Sequence, residues 1–361
     1  MRVHLLSTAV APLGSGLGGG VETMVINAAS QLQTLGHVVQ IIAPIGSVAA
    51  EVTVITLPGR LAPTAVGCGY DAPATLQSDA FLAQALRWLA EQARSGDVIL
   101  NFSYDWLPLF LSDFLPCPLG TLISMGSLNR SLDEEIRRLA AGHPERLAFL
   151  STAQAASFDL NAPIRRIPPG LDLARYRYNA HPGRNLCWLG RIAPEKGLED
   201  AFIFAARTGH AVTVLGVLQD RDYWEHLVQG YPKAPVDYGG FLRLPALAEA
   251  VGQFQALLMT PKWLEAFGIV GIEALACGTP IIAYRRGGIS DYVLDGITGW
   301  LVEPDDLDGL CAAVARMGQI NRNACRAQVE QGYTLVQYGA ALVDWLRTMT
   351  AGTEHSTGDA G

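Results

Sequence analysis

The sequence predicts an α/β protein built from two Rossmann-like domains, and three features predict it. Short apolar runs alternate with stretches of helical periodicity, the pattern of parallel strands covered by helices. A second series of such runs begins after Pro168-Pro169-Gly170 and repeats the logic of the first. The length, 361 residues, is too great for one ordinary domain and comfortable for two.

In the first series, residues 3–9 read as a buried strand, 14–20 as a glycine-rich loop, 21–35 as a helix ending at Gly36, and 38–43 as the next strand. That is a βαβ unit, whose crossover is expected to be right-handed. Further strands are expected at 52–57, 98–102, 119–124 and 147–150, with helices at 78–94 and 132–141 between them. The second series has strands at 185–189, 211–215, 236–238, 256–259 and 280–284, and helices at 197–208, 222–229, 244–253, 268–277 and 305–317. The domains are therefore placed at 1–165 and 166–334, followed by an amphipathic helix at 335–349 and a small, polar, disordered tail at 350–361.

Composition narrows the partners. Half the residues are hydrophobic, ample for two cores, and the 26 Lys and Arg against 34 Asp and Glu give a net charge of −8. An acidic chain repels nucleic acid and anionic membranes, so neither is expected to bind. The six cysteines, Cys68, Cys117, Cys187, Cys277, Cys311 and Cys325, are scattered without metal spacing and read as reduced thiols of a cytoplasmic protein, with no metal site. Met1-Arg2 and the short apolar run after it do not make a signal peptide. No apolar stretch reaches the roughly 18 residues of a membrane span. A homo-oligomer is compatible with all of this.

Chemistry concentrates in two segments. In the first, Glu265 and Glu273 flank the Phe267-Gly268 break, and Ala274 to Pro280 follow. Gly268 marks a loop that turns into a helix, so the unpaired amides there, with the positive end of the helix dipole, form an anion site. Glu273 then lies about one turn inside the helix, where it can accept from sugar hydroxyls, and Glu265 lies on the other side of a bound diphosphate. The second segment, Gly190-Arg191 to Lys196-Gly197, follows a strand directly. It puts two cations at a strand's carboxyl end, where open α/β sheets bind ligands. Arginine suits forked contact with phosphate and lysine acts as a point charge; Gly190 allows close backbone approach. Lys196 is one of only three lysines, with Lys233 and Lys262.

With these residues the sequence resembles the large family of retaining glycosyltransferases, family 4, that have the GT-B fold. Glu265 and Glu273 match its E-x7-E element, residues 190–197 its G-R-…-E-K-G element, and 168–172 its P-P-G-[LV]-D element. Gly287-Gly288-Ile289-Ser290-Asp291 and Gly18-Gly19-Gly20-Val21-Glu22 match two more. The resemblance implies two Rossmann-like domains facing each other across a cleft, with the helix at 335–349 crossing back to the first, acceptor-binding domain. It implies a hexosyltransferase that needs neither cofactor nor metal and takes a nucleotide-sugar donor, UDP-glucose above all, with retention of configuration.

Roles follow by the same resemblance. Arg191 and Lys196 neutralise the donor diphosphate with the amides near Phe267, Gly268, Ile269 and Val270. Glu273 holds the ribose hydroxyls and Glu265 those of the transferred sugar. Gly19 and Gly20 let the first loop close over the phosphates. Many family members place a histidine after a first-domain strand; here that stretch contains Ser124 and Met125 and no histidine. Asp105, between Tyr104 and Trp106 at another strand end, can accept from the acceptor, or can cap the following turn.

The opening residues and the 104–108 segment also resemble cyanobacterial glucosyltransferases of tetrahydrobiopterin. A flat pterin would suit stacking on Tyr104 or Trp106, unless those rings are core, and Asp105 could bind its polar edge. The rival acceptor is a membrane lipid, as in glycosyldiacylglycerol synthases. The first 165 residues hold 9 Lys and Arg against 13 Asp and Glu, which favours a soluble acceptor. A different class of reading starts from Gly14, Gly16 and Gly19, which fit the G-x-G-x-x-G dinucleotide fingerprint of an NAD-linked dehydrogenase. The acidic residue that fingerprint needs at the end of the second strand is missing, since the strand runs into Ala43-Pro44. A mutase or epimerase, or a catalytically silent nucleotide-binding protein, is the remaining alternative on this fold.

Overall fold

A computed structural model describes residues 1–66 and 69–354. It divides into two compact units, Met1–Gly170 with Leu335–Gly361, and Leu171–Thr334. The division thus falls five residues beyond the boundary expected at 165.

The first unit carries β1 (Arg2–Leu6), α1 (Gly20–Thr34), β2 (Val38–Pro44), β3 (Thr53–Leu57), α2 (Phe81–Gln92), β4 (Val98–Asn101), α3 (Trp106–Phe110), β5 (Leu119–Ile123), α4 (Arg130–Gly142), β6 (Leu147–Phe149) and α5 (Thr152–Ala156). Its sheet is parallel throughout, in the order β3-β2-β1-β4-β5-β6. β4 and β5 are buried along their whole length, as expected of strands covered on both faces.

The second unit carries β7 (Leu186–Leu189), α6 (Leu198–Thr208), β8 (Val212–Leu215), α7 (Arg221–Gly230), β9 (Val236–Gly240), α8 (Ala246–Gly252), β10 (Leu257–Met259), α9 (Ile269–Ala276), β11 (Ile281–Tyr284), β12 (Gly299–Val302), α10 (Leu307–Val314) and α11 (Arg322–Gly332). Its parallel sheet runs β12-β11-β10-β7-β8-β9, the same order as the first when each unit is numbered from its own first strand.

The last helix, α12 (Leu335–Glu354), belongs to the first unit. Tyr338 donates to the Met24 carbonyl of α1 at 3.3 Å, and Trp345 Nε1 donates to the Glu145 carbonyl at 2.7 Å. Gly120 on β5 has to be glycine here: a Cβ would stand 2.5 Å from Met349 Sδ and 2.8 Å from the Trp345 ring. The helix runs five residues past its expected end, so residues 350–354 are helical rather than disordered; 355–361 and Cys68 lie outside the described residues. No helix among the described residues is long and apolar enough to cross a membrane.

The two sheets share a decisive property. Strand order reverses between β1 and β4 in the first and between β7 and β10 in the second. At such a switch point the loops leaving neighbouring strands diverge and open a crevice at the strands' carboxyl ends.

Candidate active site

In the second unit the loops leaving β7 and β10 are Gly190–Gly197 and Thr260–Gly268, the two segments the sequence singles out. They are stitched together. Gly197 has φ 68°, and a Cβ there would lie 1.9 Å from the Thr260 carbonyl oxygen. Thr260 Oγ1 donates to the Gly197 carbonyl at 2.7 Å and accepts from Trp188 Nε1 at 3.2 Å. The Gly190 carbonyl packs on Gly216, where an added Cβ would come within 1.8 Å of it.

This stitching brings Lys196 to Glu265. The ammonium Nζ lies 2.6 Å from Glu265 Oε2 and 4.7 Å from the centre of the Trp263 ring, and Trp263 Nε1 donates to the same Oε2 at 3.1 Å. Glu265 is 8% exposed, so the two donors offset the cost of burying its charge. Its backbone is pinned by the Gly-Gly motif: Gly288 N donates to the Glu265 carbonyl at 2.8 Å, and a Cβ on Gly287 (φ 73°) would stand 2.1 Å from that oxygen. Arg191 leaves the same β7 end but is engaged elsewhere, with Gln219 Oε1 at 2.5 Å and Glu195 Oε1 at 3.0 Å.

Gly268, at φ 79°, is the N-cap of α9 and makes the turn a side chain would strain. Ile269 and Val270 open the helix, so their amides have no carbonyl one turn back. Gly271 leaves room for Tyr292, whose hydroxyl donates to the Gly268 carbonyl at 2.9 Å and holds the turn. The Phe267 ring is 2% exposed and packs against Tyr292 and Tyr333 at 5.1 and 5.8 Å, so the side chain shapes the turn.

Glu273, the fifth residue of α9, is half-buried and accepts from the Tyr176 hydroxyl through Oε1 at 2.8 Å. Burial pushes its carboxyl up to about 7, partly opposed by that hydrogen bond. Tyr176, Trp263, Glu195 and Gln219 are site residues that sequence reasoning missed. Glu195 lay inside a recognised motif and Trp263 two residues before Glu265; Tyr176 and Gln219 are brought in by tertiary placement.

In the first unit the glycine-rich loop follows β1 at the switch point, and its amides are already used. Glu22, 4% exposed, accepts from Gly14 N at 2.8 Å and Gly16 N at 3.1 Å through Oε2. Its Oε1 accepts from Gly18 N at 2.5 Å and Ser15 Oγ at 3.2 Å. A phosphate cannot take the amides this carboxylate occupies, so the dinucleotide-fingerprint reading loses its phosphate cradle. Gly19 (φ 64°) is the N-cap of α1 and Gly20 its first residue, and open space surrounds a Cβ built on Gly19.

Three of the expected acceptor residues, Tyr104, Asp105 and Trp106, have structural duties. Asp105 caps α3, accepting from Leu107 N at 2.9 Å, and burial raises its carboxyl. The Tyr104 hydroxyl donates to the Gly126 carbonyl at 2.5 Å, and Trp106 packs against the cores on either side. Ser124 and Met125 are half-buried just beyond β5, where Gln154 Nε2 donates to the Met125 carbonyl at 2.8 Å. Tyr104, Asp105 and Trp106 lie beyond β4, and Ser124 and Met125 beyond β5, at the carboxyl ends of those strands.

A family model described as "Glycosyl transferases group 1" matches residues 180–334, within the second unit. The D-inositol 3-phosphate glycosyltransferase of Arthrobacter sp. (strain FB24) is 30% identical over 257 residues, 61% of this chain. The matched stretch spans 59% of that relative's length. Sucrose-phosphate synthase from Thermosynechococcus elongatus matches with a TM-score of 0.81 at 19% identity, over 98% of this chain and 100% of that one. HepE from Anabaena, in complex with UDP and glucose, matches with a TM-score of 0.75 at 17% identity, over 96% and 100%. At such identities the likeness carries the fold, which is GT-B: two six-stranded parallel sheets wound in the same order. On a GT-B fold, then, residues 180–334 of the second unit match the glycosyl transferases group 1 family.

Proposed function

We propose that the protein is a retaining glycosyltransferase that moves a hexose from a nucleotide-sugar donor, UDP-glucose in the first instance, to a small soluble acceptor. The observation that carries this is the grouping of Lys196, Glu265, Glu273 and the first turn of α9 at the β7/β10 switch point. A donor has a diphosphate, a ribose and a sugar, and the grouping supplies a partner for each. Lys196 and Arg191 with the Ile269 and Val270 amides oppose the diphosphate charge, which grows as the leaving group departs, and so lower the barrier without a metal. Glu273 accepts from the ribose hydroxyls and Glu265 from those of the hexose.

In this reaction the bond from the sugar's C1 to the diphosphate oxygen breaks, and a bond from C1 to the acceptor oxygen forms on the same face. Same-face attack sets the incoming hydroxyl beside the departing oxygen, which takes its proton. The first unit supplies the acceptor site, with Gly19 and Gly20 at its glycine loop and Ser124 and Met125 beyond β5.

For the acceptor, the N-terminal resemblance favours tetrahydrobiopterin. A second class is favoured by the relatives, whose names speak of D-inositol 3-phosphate and sucrose phosphate. The structural duties of Tyr104, Asp105 and Trp106 weaken the pterin argument without supplying a phosphate site in its place. The test is UDP release from UDP-glucose in excess EDTA, with reduced tetrahydrobiopterin, with D-inositol 3-phosphate, or with neither. Release stimulated by either compound identifies the acceptor class and a metal-free reaction together. Failure to bind or turn over any nucleotide sugar would overturn the reading.

A further inference from the structure

Each glutamate of the E-x7-E element is held by an aromatic side chain through one oxygen. Trp263 Nε1 donates to Glu265 Oε2 at 3.1 Å, and the Tyr176 hydroxyl donates to Glu273 Oε1 at 2.8 Å. No hydrogen bond from another described residue reaches Glu265 Oε1 or Glu273 Oε2. A carboxylate fixed through one oxygen presents the other in a defined direction, which is what accepting from a hydroxyl requires.

The arrangement at Glu265 has a further property. Lys196 and Trp263 share the same oxygen. If Lys196 turns to a diphosphate, the buried carboxylate loses its cation, and a buried carboxylate stripped of all donors is costly. The indole N–H stays. Trp263 also lies beneath the ammonium, at 4.7 Å from ring centre to Nζ, so one side chain touches both partners of the ion pair.

From this geometry we infer that Tyr176 and Trp263 are positioning residues with separate duties: Tyr176 orients Glu273 for the ribose, and Trp263 orients Glu265 for the hexose while Lys196 is on the diphosphate. The inference rests on the donor assignment above and deepens it. It divides the donor's recognition between two aromatic donors lying at sequence distances of 97 and 2 from the carboxylates they hold.

The test compares affinities, by calorimetry, for a nucleoside diphosphate and for its hexose conjugate: UDP with UDP-glucose, and GDP with GDP-mannose. Tyr176→Phe and Trp263→Phe each delete one donor and keep a ring. Tyr176→Phe should weaken nucleoside diphosphate and conjugate alike, by roughly tenfold, the scale of one hydrogen bond to a charged group. Trp263→Phe should leave the nucleoside diphosphate within about twofold and weaken only the conjugate, again by roughly tenfold. A merely structural role would move both ligands together in both variants. In a Tyr176→Phe/Glu273→Gln double variant the losses should not add, because Tyr176 acts through Glu273. That comparison holds even where Tyr176→Phe loses stability, since thermal unfolding of all three proteins is read alongside. Wild-type binding with no split between the variants, or additive losses in the double variant, overturns the positioning roles alone. A wild-type protein that binds neither pair overturns the donor assignment and the inference with it.

Discussion

Lys196 and Glu265 neutralise one another, ammonium to carboxylate at 2.6 Å, across 69 residues of sequence. The cation expected to meet a diphosphate is thus paired with the carboxylate expected to meet its sugar. Donor binding has to exchange one charge pair for another, and Lys196→Ala removes the cation from both states. The variant should lose donor turnover by roughly a hundredfold, seen mainly as reduced kcat/KM. Its thermal midpoint should fall too, because Glu265 is left buried on the Trp263 N–H alone. Wild-type turnover in this variant would remove Lys196 from the site.

Glu273 predicts a pH dependence. Its folded-state value is raised, to about 7, so the folded protein holds the proton more tightly than the unfolded chain does. The stabilisation from that proton is complete below the ordinary carboxylate range, about 4.3, and is lost as pH rises through about 7. Unliganded protein should therefore become less stable across that window, by at most about 4 kcal/mol from this group. Glu273→Gln should flatten the slope, as followed by denaturant unfolding at a series of pH values. Nucleotide affinity should run the other way, strengthening as pH rises through about 7 and the carboxylate ionises.

Gly287 is a backbone prediction. Its φ is 73° and an added Cβ would meet the Glu265 carbonyl at 2.1 Å. Gly287→Ala should cost roughly 2 kcal/mol or more and displace Glu265, so that stability and turnover fall together. Gly318→Ala is the matched control: nothing lies within 4 Å of a Cβ there, and chemical denaturation should find it close to neutral.

The thiols should be slow to react. Burial pushes Cys117, Cys277 and Cys325 up to about 12 and raises Cys187 further, whereas Cys311 is only half-buried, with a smaller rise. In a Cys68→Ser background, iodoacetamide followed by mass spectrometry should find Cys311 modified well before the other four.

The parts of this protein legible in its sequence are those whose signal is local. Strands β7 and β10 stand out as apolar runs, and Gly268 followed by Ile269 announces a helix start. Glu265 and Glu273 are readable because their separation along the chain is itself the pattern. Strand β12 was missed since Gly299-Trp300-Leu301-Val302 is short and opens on a glycine. The equally unforeseen α11 is polar along most of its length, with little apolar stripe to see. Tyr176 could not be read as a partner of Glu273, because 97 residues of sequence separate them and leave no local signal. The glycine loop misled in a more instructive way. G-x-G-x-x-G describes amides that want an anion, and does not say whether that anion is a ligand or the chain's own Glu22.

Glu22 has a thermodynamic consequence. A free glycine loop would fluctuate, and ordering it around a ligand would cost roughly 1–2 kcal/mol per residue. Here the amides of Gly14, Gly16 and Gly18 have been drawn onto a carboxylate of the following helix, so that entropy is surrendered when the first unit folds. Association with a ligand then begins from a loop whose shape is already set. The same negative charge turns a phosphate away from those three amides and leaves Gly19 and Gly20, at the open end of α1, as the loop's remaining point of approach.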